Sequence, residues 1–336
     1  MSVDTDEVVA QDKPKTAPKS WKSHAITWAR RVLLAAVVVG AGYYLVTRWD
    51  EVWTTLTNVP WYAAVGSLLV LIAGMLANTW SWRTIVDDLG SPIGRVLGSQ
   101  IFLVSQLGKY VPGAVWAYVL QMELGKKAGL PRARMFVASL VQVGVAVVAS
   151  LALGVLALPM LMKDSPGAVW LYALLPFGLA VLHPKVMTWA VNLVLKVLRK
   201  APLPHPLHFR TIVSTLLFTT VSYVCFGAHL WLLTLSTGKA GIDVLLLCIG
   251  AIAIGLTASL FFFILPSGAG VRDLAVALAL GAAVGSDAAV AFAVASRAMF
   301  TFADVATAGG AALLAKLTNP TAKAKPVGET PAPAAD

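Results

Sequence analysis

At 336 residues, with 58% apolar and only 12% charged residues and a mean hydropathy of +0.78, the chain lies far from the balance of a water-soluble globular domain. Its formal charge of +10 is gathered in a few segments and reads as membrane topology, and no nucleic-acid partner is expected. The two cysteines, Cys225 and Cys248, fall inside apolar runs, so neither a disulfide framework nor a thiolate metal site is indicated.

Residues 1–30 read as a basic, disordered cytoplasmic tail, 31–315 as one integral membrane domain, and 316–336 as a second disordered cytoplasmic tail. A helix needs roughly 20 residues to cross a hydrocarbon core about 30 Å thick. Apolar runs of that order predict spans near 32–47, 61–82, 135–158, 168–183, 211–235, 243–265 and 288–314. The first run follows Lys13, Lys15, Lys19, Lys22, Arg30 and Arg31, as the core of a signal peptide would. It is long, however, and no small-x-small cleavage site follows Gly42, so it is read as an uncleaved span. Spaced glycines such as Gly66 and Gly74 are expected at helix contacts.

Shorter apolar pieces occupy 96–111, 113–127 and 271–285. The first two go into the membrane and come back, either as a re-entrant hairpin or as two short spans. Basic residues crowd the N-tail, 83–134, 185–210 and the C-tail with Lys316, Lys323 and Lys325, whereas the intervening loops carry only Arg48, Lys163 and Lys239. Under the positive-inside rule both termini are cytoplasmic. Even parity then requires 271–285 to cross or nearly cross, giving about eight spans, or ten if the hairpin also crosses. The expected fold is therefore an all-α polytopic membrane protein with re-entrant or broken helices.

PKVMTWAVNLVLKVLRK, residues 184–200, is a different object. Val186, Trp189, Ala190, Leu193, Val194 and Val197 share one helical face, and Lys185, Thr188, Asn192, Lys196, Arg199 and Lys200 the other. This is the pattern of a helix lying in the membrane interface; an ordinary cytoplasmic connecting helix is the alternative.

A shift of 156 residues superposes Val115 on Val271, Leu124 on Leu280, Gly125 on Gly281, Gly129 on Gly285 and Phe136 on Phe292, with Pro112 and Pro266 two residues out of step. The predicted topology sends the helix after Pro112 towards the cytoplasm and the one after Pro266 away from it. The pair is thus a candidate inverted repeat, a device by which transporters bring interrupted helices to the midplane.

In ILPSGAGVRD, Pro266 ends one helix, Gly268 and Gly270 let the backbone turn, and a new helix begins with unpartnered N–H groups. Such an end attracts anions, and Arg272 adds a planar, permanently charged fork suited to a phosphate. Asp273 can stabilise the helix start or hold Arg272. The competing reading is that Arg272 and Asp273 only pair at the cytoplasmic interface. Arg297 and Asp304 lie two turns apart on one face of the last span, where each isolated charge costs roughly 2.5 to 3.5 kcal/mol, so they should face protein or water. Lys109, in SQLGKYVPGAVW beside Pro112 and Gly113, offers a further cation or snorkels to a surface, and Glu123 follows on the same piece. His229 reads as a hydrogen-bonded core residue. No zinc-type cluster, nucleophile elbow, Walker loop or nucleotide fingerprint occurs, so no metal or other cofactor is expected.

WSWRTIVDDLG, SQLGKYVPGAVWAYVLQ and LPSGAGVRDLAVALALGAAVG resemble the transmembrane family named after lysylphosphatidylglycerol synthase, whose best-known members carry a lipid flippase domain. The resemblance covers about residues 30–315. The last stretch departs from the family pattern of Pro-Gly-Gly and Arg-Glu at Ser267 and Asp273. It implies translocation of an anionic or aminoacylated phospholipid, or of a lipid-linked sugar carrier, across a bacterial plasma membrane. Lys109, Arg272 and Arg297 would bind the phosphate, with Asp273, Asp304 and Glu123 orienting them. The chain has no room for the aminoacyltransferase domain of bifunctional members, so no enzymatic activity is expected. The implied partners are an anionic phospholipid or a polyprenyl-phosphate carrier, together with a second copy of the chain or an envelope-biosynthesis enzyme. Two other readings stay open. An enzyme acting on polyprenyl-phosphate sugars would need acidic residues in a sizeable loop, and Asp50, Glu51, Asp164, Asp243 and Asp287 all lie in short segments. An accessory scaffold would use the tails and 184–200 instead.

Overall fold

The computed structural model describes residues 49–111, 115–155, 183–197, 202–203, 206–239, 241–261 and 270–318, all within one compact unit covering Tyr44–Asp336. The predicted N-terminal tail, residues 319–336 of the C-terminal one, the spans at 32–47 and (but for its last residue) 168–183, and Pro112, Gly113, Pro266 and Gly268 lie outside the described residues; Lys316, Leu317 and Thr318, expected in the disordered tail, instead form the last turn of the final helix. The chain is an all-α polytopic membrane protein. Its described α-helices are α1 (Trp49–Thr57), α2 (Trp61–Asp88), α3 (Arg95–Gln106), α4 (Trp116–Lys127), α5 (Arg132–Gly154), α6 (Pro184–Val197), α7 (Phe209–Thr234), α8 (Ile242–Phe261), α9 (Val271–Val284) and α10 (Ser286–Thr318). A 3₁₀ turn, Leu107–Tyr110, continues α3. Five of them, α2, α5, α7, α8 and α10, are long and apolar enough to cross a membrane, and they coincide with five predicted spans.

Two boundaries differ from expectation. Helix α2 runs on to Asp88, beyond the apolar stretch, because its last turns satisfy their own charges: Arg83 lies 3.9 Å from Asp87, and Asp87 Oδ1 accepts the Ile93 N–H at 3.0 Å. Helix α1 stands where a plain loop was expected and packs against α10. The hydroxyls of Thr54 and Thr57 donate to the carbonyls of Asp50 and Trp53, at 2.7 and 3.0 Å.

Small polar residues share the buried interior with apolar ones, while large apolar side chains face outward. Ser67, Ser81, Thr215, Thr219 and Ser222 are buried, while Leu69, Leu76, Val213 and Leu217 on the same two helices are exposed. Helices α2 and α7 pack antiparallel along most of their length, since Ser67 meets His229 at one end and Ser81 meets Thr215 and Thr219 at the other. Gly74 allows this approach: a Cβ there would come within 2.7 Å of Phe226. Gly66, expected to serve the same purpose, is not tightly packed, its nearest neighbour being Leu232 at 3.8 Å. At Gly227 the backbones of α7 and α8 touch, an added Cβ falling 2.4 Å from Ile249 Cα.

His229 ties three helices together in this core. Its Nδ1 lies 2.6 Å from Ser67 Oγ on α2, its Nε2 lies 3.1 Å from Ser296 Oγ on α10, and its ring meets Phe300 edge-on at 5.5 Å. His229→Ala opens a void and leaves the Ser296 hydroxyl without its partner, while Ser67 keeps only the main-chain carbonyl of residue 229. We expect a loss on the order of 3 kcal/mol, read as a lowered midpoint of thermal unfolding in detergent; an unchanged midpoint would contradict this role.

The basic segments gather at one end. Arg134 Nη1 donates to the Gly90 carbonyl and to Ser91 Oγ, joining the start of α5 to the end of α2. His208 Nδ1 lies 2.5 Å from Asp88 Oδ1, bringing the start of α7 to the same corner. Helices α3 and α4 both open onto this end and are each 12 residues long, or about 18 Å, too short to cross. Their length fits the re-entrant alternative of the predicted hairpin, with Gly108, on the turn that continues α3, buried in the bundle.

Helix α6 is amphipathic as expected, but its polar side is not simply a solvent face. Thr188 Oγ1 and Asn192 Oδ1 accept the N–H groups of Leu207 and Leu203 and so hold the following segment. A third face, Met187, Val191 and Leu195, is buried in the bundle, which leaves Val186, Trp189 and Leu193 exposed together with Lys185 and Lys196.

Candidate functional site

Between the hairpin tip and the central helices lies a cavity of about 250 Å³. Apolar walls come from Met75, Phe102, Phe226 and Leu256, and polar groups from Gln106, Lys109, Tyr118, Arg272, Arg297 and Asp304. Met75, at the middle of α2, touches Thr307 beside Asp304, so the cavity sits near the mid-length of the spanning helices.

One half of the charge cluster is built at the start of α9. Gly270 takes φ 87°, a conformation glycine adopts freely, and its N–H donates to Asp273 Oδ2 at 3.2 Å, capping the helix. The same Oδ2 accepts from Arg297 Nη1 at 2.5 Å, and Oδ1 lies 3.6 Å from Arg272 Nε. Asp273 therefore caps the helix and holds both arginines. Arg272 is 7% exposed, with its guanidinium carbon 4.4 Å from the centre of the Phe300 ring. Gly255 on α8 makes room for it, the position of a Cβ there lying 3.2 Å from Arg272 Cγ. Among the described residues no acceptor meets the two Nη groups of Arg272, and its side chain lines the cavity. The reading of Arg272 and Asp273 as a mere interfacial pair does not fit this burial.

The other half is built on the hairpin tip. Lys109 Nζ lies 2.6 Å from Asp304 Oδ2, and the Tyr110 hydroxyl donates to the same oxygen, also at 2.6 Å. Asp304 is 3% exposed, and among the described residues its charge is met directly by Lys109 and Tyr110, carried on a different part of the chain. Lys109 thus points inward and does not snorkel to a surface. With all five groups ionised, three cations (Lys109, Arg272, Arg297) face two anions (Asp273, Asp304), and one positive charge is left over.

Of the residues expected here, Lys109, Gly270, Arg272, Asp273, Arg297 and Asp304 come together. Glu123 does not: it lies at the basic end of α4, paired with Arg132, and that hydrogen bond holds its carboxyl below the usual range. Its position is set by helix length, since α4 carries it away from the tip that holds Lys109. Helix α4 runs from the cavity towards the basic end and α9 from the cavity away from it. This is the directional relation an inverted repeat requires.

Tyr110, Phe300, Gly108 and Gly255 escape the sequence reading. Phe300 was reachable, lying one turn from both Arg297 and Asp304 on the same face. Gly108 is legible only in space: a Cβ there would lie 2.7 Å from the Ala117 nitrogen, so the turn carrying Lys109 can close onto α4 only with glycine. Gly108→Ala should force the two apart and cost about 1 to 3 kcal/mol. Lowered thermal stability, with faster labelling of Lys109 by an amine reagent, is the expected readout.

The family described as lysylphosphatidylglycerol synthase TM region matches residues 32–309, more than half of the chain, and the chain belongs to it. No curated protein matches the chain.

Proposed function

We propose that this member of the family moves a lipid with an anionic headgroup between the leaflets of a bacterial plasma membrane, without an ATP site and without chemistry on the lipid. Membership makes it a membrane protein of lipid metabolism or translocation. The observation that carries the finer reading is the surplus positive charge at mid-bundle, with the Arg272 fork lining the cavity. A planar guanidinium pairs with phosphate oxygens in a bidentate fashion, and Arg297 lies on the same carboxylate within reach of the same anion.

The two carboxylates make the empty site tolerable. Three cations in a low-dielectric bundle would repel one another, and Asp273 and Asp304 reduce that repulsion to a single charge. A phosphodiester, carrying one negative charge, completes the balance. The acyl chains stay in the lipid beside the bundle while the headgroup crosses through the polar cluster. The candidate cargoes are an anionic phospholipid, its aminoacylated form and a polyprenyl-phosphate carrier. The gathering of basic residues at the end shared by α2, α3, α4, α5 and α7 supports a cytoplasmic assignment for that end.

The test is transbilayer exchange in vesicles holding the purified chain and a trace of fluorescent phosphatidylglycerol. An impermeant reductant should bleach both leaflets in protein-containing vesicles and only the outer leaflet in empty ones. Bleaching confined to the outer leaflet in both would count against translocation of this lipid.

A further inference from the structure

A second arginine pair lies away from the central cavity, on the outer face where α2, α3 and α7 meet. Trp80, Arg83, Thr84, Asp87, Arg95 and Phe218 line an open groove of about 380 Å³ there. The charged part is held in place. Gly98 leaves space for the Arg83 stem, a Cβ at that position falling 2.8 Å from Arg83 Cδ. Arg83 Nη2 donates to the Ile93 carbonyl at 3.0 Å, and its Nε has no acceptor among the described residues. Arg95, exposed at the start of α3, has no partner among the described residues either.

The one carboxylate in the groove does not neutralise this pair. Asp87 Oδ1 is taken by the Ile93 N–H, and Oδ2 is 3.9 Å from Arg83, so two cations face one partly occupied anion. Immediately below, Trp80 and Phe218 form a tilted ring pair with centroids 6.2 Å apart. Beyond them the outward faces of α2 and α7 continue as Leu76, Leu217 and Val221, all exposed. A basic pocket that opens onto an aromatic step and then an apolar stripe has the polarity profile of a phospholipid, with phosphate, glycerol and acyl chain in that order.

We infer that this groove is a binding site for an anionic phospholipid, held with its phosphate between Arg83 and Arg95 and one acyl chain on Trp80, Phe218 and Leu217. The site is peripheral and static. It needs no movement of lipid through the bundle and does not rest on the translocation reading.

Trp80 serves as the reporter. Its fluorescence is the difference between the full-length wild-type chain and Trp80→Phe, each reconstituted in a phosphatidylcholine bilayer containing a small fraction of brominated lipid. Brominated phosphatidylglycerol should quench the Trp80 component more strongly than brominated phosphatidylcholine at the same mole fraction. Each arginine near a lipid phosphate contributes about fivefold in preference, so Arg95→Gln should weaken the preference about that much, and Arg83→Gln with Arg95→Gln should abolish it. Arg95 is exposed and has no partner among the described residues, so the single variant reads out the site even if loss of Arg83 disturbs the 89–94 corner. Equal quenching by the two lipids, or a preference that survives Arg95→Gln unchanged, overturns the inference. Success or failure here is independent of leaflet exchange, because the reading is taken at equilibrium.

Discussion

Arg272→Ala is expected to reduce leaflet exchange of the anionic lipid by about two orders of magnitude, while the protein still folds. The size follows from what is removed: a charge-assisted contact to phosphate contributes roughly 1.5 to 3 kcal/mol, and this arginine carries donors that meet no acceptor among the described residues. Folding should survive because Asp273 keeps Arg297 as a partner at 2.5 Å and still caps α9 through Gly270. Arg272→Lys keeps the charge but loses both the fork and the stack on Phe300, so it should fall between the two, about tenfold below wild type. If Arg272→Lys were as active as wild type, the site would be reading charge alone.

Asp304→Ala acts on the other half of the cluster and should be felt first as lost stability. Lys109 and the Tyr110 hydroxyl share one carboxylate oxygen, so its removal leaves a cation and a phenol in the bundle without their acceptor. Breaking such a pair costs on the order of 3 kcal/mol, whereas replacing both partners by apolar groups costs much less. Lys109→Met combined with Asp304→Leu should therefore recover most of the stability lost by Asp304→Ala. Thermal unfolding of Lys109→Met, Asp304→Leu and the double variant in detergent closes the cycle. A double variant as unstable as the sum of the singles would mean that the two groups do not act as a pair.

What was legible in the sequence follows from the physics of each signal. Five spans could be read because a membrane imposes a length and a composition that few other constraints mimic. The charged residues of the site stood out for the same reason, as Lys109, Arg272, Arg297 and Asp304 sit in apolar surroundings where isolated charge is costly. Their partners did not. Arg297 and Asp304 share a helix face, which says only that both turn inward; one reaches Asp273 and the other Lys109, because α9 and the turn at 107–110 approach α10 at different heights. Glu123 illustrates the opposite error: its chemistry suited the site, but helix α4 runs away from the cavity and delivers it to Arg132. Close backbone approaches, at Gly108 and Gly227, leave no trace in composition, and the distinction between them and the loosely packed Gly66 is purely spatial. Helix α1 was hidden because a helix of nine residues is too short for its period to be distinct from an apolar neighbourhood.

In the proposed function a single anionic headgroup crosses through the arginine cluster. The most direct test is leaflet exchange in one preparation of vesicles, comparing fluorescent phosphatidylglycerol, its lysyl ester and a polyprenyl-phosphate sugar, for the wild type and for Arg297→Ala. Exchange of at least one of the three by the wild type, and its loss in the variant, is the expected result. No exchange of any lipid, or exchange that is indifferent to Arg297, would contradict it and would favour an enzyme or a scaffold that uses the same fold.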